Sequence, residues 1–96
     1  MTDKEMLELA AKAAGIYIEF DSDGKSYIGN DYVKPWNPLT DDGDALRLAV
    51  KLNIFNTRSK GYEWPVIEVF IEHNDDPYEA TRRAIVRAAA EIGKAM

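Results

Sequence analysis

Apolar residues change their period several times along this chain, and each change marks an element. Met6, Leu7, Ala10, Ala13 and Ala14 recur at helical spacing, and Thr2 with Glu5 forms a capping box ahead of them. Gly15 can take the left-handed conformation that commonly ends a helix, so the pattern predicts a helix from about Asp3 to Ala14. Ile16, Ile18 and Phe20 then alternate with Tyr17 and Glu19, the signature of a strand with one fully buried face. Asp21 to Gly24 reads as a turn, and Lys25 to Gly29 as the returning strand of a hairpin.

Asn30 to Pro38 carries two prolines and reads as a loop. Thr40 is the expected N-cap of a second helix, with Asp41 and Asp42 at its positive end and Leu39 placed as a hydrophobic staple. Ala45, Leu46, Leu48, Ala49, Val50 and Leu52 leave a narrow polar stripe, which predicts a helix packed on most of its circumference. Asn53 to Thr57 and Trp64 to Glu72 predict a second hairpin about the turn at Arg58 to Gly61. Asp76, Pro77 and Glu79 announce a last helix, with Tyr78, Thr81, Ile85, Ala88 and Ile92 inward. Its alanines Ala80, Ala84, Ala88 and Ala89 permit close approach, and Glu79 with Arg83 and Arg87 with Glu91 are spaced for ion pairs.

The order αββαββα predicts one α+β domain over residues 1–96, built on a mainly antiparallel four-stranded sheet with three helices and layered as an α/β/α sandwich. Composition adds exclusions. With 46% hydrophobic and 30% charged residues the chain is an ordinary globular one, and without cysteine it has no disulfide, thiolate metal site or cysteine nucleophile. The acidic first residues do not resemble a secretory signal, and no apolar run reaches the ~20 residues of a membrane helix. The net charge of -5 is concentrated in Met1 to Leu48, with ten acids against five bases, and disfavours nucleic-acid binding.

Candidate chemistry is sparse. Asp21, Asp23 and Gly24 echo part of a calcium loop, but the remaining ligands and flanking helices are missing and a hairpin turn explains them. Asp41, Asp42 and Asp44 have sufficient reason to stand at a helix start without holding a cation. His73 is the single histidine and reads as a solvated loop residue. No nucleophile elbow or phosphate loop is present, so no catalytic residue, metal ligand or cofactor is assigned and the reading leans away from an enzyme. The candidate binding residues are Tyr32, Lys34, Trp36 and Asn37 in the aromatic loop and Arg83 and Arg87 on the last helix. Set against recognition are blander readings. Trp36 can fold over the core and plug the end of the sheet, the favoured alternative in so small a domain, and the arginines can form a solvated face.

Trp36 to Leu52, WNPLTDDGDALRLAVKL, and the closing EATRRAIVRAAAEIG resemble the functionally uncharacterised small proteins of tailed bacteriophages and prophages grouped as the phage ABA sandwich domain. The resemblance spans nearly the whole chain and implies a sheet between helix layers. It brings no catalytic residue or cofactor. It implies a phage or prophage accessory protein in the cytoplasm of the bacterial host, and the expectation is a non-enzymatic protein-interaction module with a host or phage protein as partner. The alternative is a small-ligand or nucleotide-binding protein with its site near the Trp36 loop and the start of helix two. The alanine-rich last helix could serve a homodimer or pack within its own chain.

Overall fold

The computed structural model of this protein describes residues 1–54 and 76–96. They form helix α1 (Asp3–Ala14), strands β1 (Ile18–Phe20), β2 (Ser26–Ile28) and β3 (Lys34–Pro35), and helices α2 (Asp42–Leu52) and α3 (Pro77–Ala95). The class is α+β, with three helices and an open three-stranded antiparallel sheet among the described residues. The expected second hairpin lies outside them, except at its first two positions. There Asn53 is no strand residue but the left-handed cap of α2, and Ile54 is fully buried.

Local signals at the helix ends are realised. The Thr2 hydroxyl accepts the Glu5 amide and the Glu5 carboxylate accepts the Thr2 amide, both at 3.1 Å, and Gly15 closes α1 at φ 72°. The Asp76 carboxylate accepts the amides of Tyr78 and Glu79 at 3.0 and 3.2 Å, with Pro77 at the first helical position. Helix two starts one residue later than expected. Asp41, not Thr40, is its cap, because the Asp41 carboxylate accepts the Asp44 amide at 2.8 Å while the amides of Thr40 and Asp41 both turn back to the Asn37 carbonyl.

Between residues 30 and 38 the chain is not wholly a loop, because Lys34 and Pro35 form β3 against β2, with Tyr27 opposite Pro35 and Ile28 opposite Lys34. Proline is tolerated in so short an edge strand, which leaves its missing donor off the ladder. The β1–β2 register sets Ile18 against Ile28 and Phe20 against Ser26, so these residues share the inner face. Ile16, Ile18 and Phe20 are half-buried rather than fully buried, as suits a strand at the edge of the described sheet.

The core is largely helical. Helix α1 packs chiefly on α3, and α2 packs on α3 beside it. Ala10, Ala11, Ala84, Ala88, Ala89 and Ala90 are buried there, and small side chains let the two axes approach. The approach is closest at Gly93, where a Cβ would lie 2.0 Å from the Leu9 carbonyl oxygen. Two inward assignments fail. Leu46 and Val50 are 55% and 63% exposed, because α2 buries only the stripe of Ala45, Leu48 and Ala49. Tyr78 is 70% exposed although it shares a helical face with the buried Ile85, since it stands in the first turn of α3, at the rim of a cleft beside Leu46 of α2.

Candidate functional site

Three of the loop residues named from sequence have different surroundings, although they lie within five positions of one another. Trp36 is 4% exposed and belongs to the core, its amide donating to the Ser26 carbonyl and its carbonyl accepting the buried Ser26 hydroxyl. Asn37 is committed to the turn before α2. Its side-chain oxygen accepts the Leu39 amide at 3.0 Å, and its amide donates to Asp44 at 2.9 Å. Tyr32 lies on the other side of the sheet, at φ 57°, a backbone conformation uncommon for an aromatic residue.

The arginines of α3 do not join the loop. Arg83 pairs with Asp3 of α1 and Arg87 with Glu91, both at 3.2 Å. Arg82 bridges instead. Its guanidinium donates to the Leu39 carbonyl at 2.9 Å and to Asp42 at 2.8 Å, which ties α3 to the entry of α2. These arginines act within the fold.

Two surfaces remain. One is the outer face of the sheet, where Glu19 stands opposite Tyr27 in the β1–β2 register. The Glu19 carboxylate accepts the hydroxyls of Tyr17 and Tyr32, the latter at 3.2 Å, and the Tyr27 hydroxyl donates to Asp21 at 3.1 Å. The Tyr27 and Tyr32 rings meet edge to face at 5.7 Å. Tyr17 is 64% exposed and Tyr32 is 46% exposed. A hydroxyl that donates to a carboxylate resists ionisation, so each of these three phenols is held above its ordinary pKa, chiefly by its partner acid. Asp21 is held below the usual carboxylate range, first by the Lys25 amide and then by Tyr27 and the Asp23 amide. The same Asp21 bonds build the hairpin turn expected there, with Gly24 at φ 83°.

The other surface is a groove of about 590 Å³ between the inner face of the sheet and the side of α2. Ile16, Ile28, Trp36 and Leu48 form its apolar wall, while Lys34 of β3 and Arg47 and Lys51 of α2 stand around it. Asp44 is the one acid there and pairs with Arg47 at 2.7 Å. Lys34 and Trp36 are two apart in an extended segment and so share a face, whereas Arg47 and Lys51 are four apart on a helix. Sequence reading found the first pair and missed the second, because nothing local says that these two pairs meet. The start of α2 itself is lined by Asp41, Asp42 and Asp44 and is unfavourable for an anion.

A smaller cleft of about 370 Å³ between α2 and α3 is bordered by Leu46, Tyr78 and the Arg82–Asp42 pair. Among the described residues no helix is long and apolar enough to cross a membrane. Comparison with family models, with curated proteins and with solved structures returned no match.

Proposed function

We propose that this chain is a non-enzymatic protein-interaction module of a phage or prophage, related to the phage ABA sandwich domain and acting in the cytoplasm of the bacterial host. Its four-stranded sheet packs its inner face on helices, and the open outer tyrosine face holds a basic segment of a host or phage protein. The observation that carries the reading is the convergence of Tyr17, Tyr27 and Tyr32 on Glu19 and Asp21 at an exposed surface. Tyrosine gives large contact area at low entropic cost, and these rings are already oriented by their hydroxyl bonds, so little ordering is left to binding. Arginine or lysine of a partner gains about 0.5–1 kcal/mol over each exposed ring. The carboxylates keep free lone pairs for charge-assisted bonds. A phosphate backbone would meet two acids there, which favours protein over nucleic acid.

The test is capture of a partner from infected or lysogenic cells by wild-type protein and by a Tyr17→Ser/Glu19→Gln variant. A stoichiometric protein should be retained by the wild type, released by an arginine-rich competitor peptide, weakened by salt, and lost with the variant. Equal retention by both proteins, or no protein displaced by the basic peptide, would overturn the reading.

A further inference from the structure

From the groove between β3 and α2 we infer a second binding site, for a small aliphatic carboxylate: an anionic head held by Lys34 and Lys51, with its chain lying along the half-buried Ile16 and Ile28. The site is distinct from the tyrosine face in residues and opposite in charge, so the two readings fail separately.

Three observations carry it. The first is polarity. In a chain with net charge -5, this groove gathers three bases and a single acid. Asp44 is already engaged by Arg47 and by the Asn37 amide. Among the described residues, Lys34 and Lys51 form no ion pair, so two ammonium groups flank an apolar wall without a counter-charge. The second is the wall. Ile16, Ile28 and Leu48 are aliphatic, and Trp36, 4% exposed, offers little ring surface, which suits a flexible hydrocarbon better than a stacked base. The third is size. About 590 Å³ falls in the range of ~300–1,000 Å³ typical of small-molecule sites and accommodates a chain of moderate length.

The chemistry asks for both parts of the ligand. Apolar contact alone would not distinguish an acid from an alcohol, and charge alone at an exposed rim is weak and screened by salt. A nucleotide would bring a bulkier polar sugar and more charge than two lysines neutralise.

The full chain should be titrated with decanoate, below its micelle concentration, while backbone and indole NMR shifts are followed. Saturable one-to-one shifts are expected at Trp36, Leu48 and Lys51, with decanol and decylamine binding more weakly. Lys34→Gln/Lys51→Gln should reduce decanoate affinity about tenfold and leave decanol affinity unchanged. A Lys34→Arg/Lys51→Arg variant, with its charge retained, should bind as the wild type does, which separates lost charge from damaged folding. Equal affinity for decanoate and decanol, shifts confined to the tyrosine face, an unchanged decanoate affinity in the glutamine variant, or no saturation at all would each overturn the assignment.

Discussion

A residue's role in this protein depends on which face its backbone presents. Tyr32 and Lys34 are two apart in sequence, yet Tyr32 bonds to Glu19 on the outer face while Lys34 lies opposite Ile28, a residue of the inner face. The tyrosine network gives a direct titration prediction. Raised phenol values mean that these bonds stabilise the fold fully below the ordinary tyrosine pKa of 10.0, and that the contribution is lost as pH rises through the folded values. Tyr17, Tyr27 and Tyr32 should therefore ionise late when followed by tyrosine ring NMR, and Glu19→Gln should shift Tyr17 and Tyr32 back toward the ordinary value while Tyr27 stays high on Asp21. Unchanged Tyr17 and Tyr32 titration in that variant would remove Glu19 as the cause. The alternation of Ile18, Glu19 and Phe20 made the two faces of β1 legible in advance. The left-handed turn at Tyr32 was not, because nothing in its side chain favours that conformation.

At the scale of elements, α1 and α3 are held by close approach. Gly93 is the sharpest test. A methyl group there collides with the Leu9 backbone, which cannot rotate away as a side chain could. Overpacking costs about 1–3 kcal/mol, and more where backbone must move, against the ~1 kcal/mol that alanine gains over glycine in a helix. We expect Gly93→Ala to destabilise by about 2 kcal/mol and to lower Tm by roughly 10 °C in a thermal scan. A rise in Tm would mean that propensity outweighs packing. The alanine pattern of α3 announced a close partner, and both caps of α1 were readable because a cap is satisfied within a few residues. Helix α2 is packed on less of its circumference than its sequence predicts, since its apolar residues cover more of its surface than its neighbours do. Leu46 and Val50 look like core in sequence and stand in solvent.

For the whole molecule, the acid side of the stability curve follows from Glu5 and Asp21. Both carboxyls are held low: Glu5 first by the Thr2 amide it accepts, Asp21 first by the Lys25 amide. Their contribution is thus present above the ordinary values of 4.5 and 3.8 and is lost as pH falls through the lower folded ones. Glu5→Gln and Asp21→Asn retain an acceptor oxygen, so the double variant should fold at neutral pH but show a shallower loss of stability below pH about 4.5 in denaturant titrations. An identical slope would locate acid sensitivity elsewhere. What the sequence by itself determined is what closes locally: the helix starts at Thr2 and Asp76, the ends at Gly15 and the turn at Asp21, the alternation of the first hairpin, and the α+β class. Tertiary structure alone decided that Leu46 and Val50 of α2 stand in solvent, that Arg82 ties α3 to Leu39, and that Lys34 meets Arg47 and Lys51 across a groove. The division has one physical reason. Caps and turns are short-range bonds whose partners are neighbours in the chain, whereas burial and charge convergence depend on which distant surface happens to face each residue.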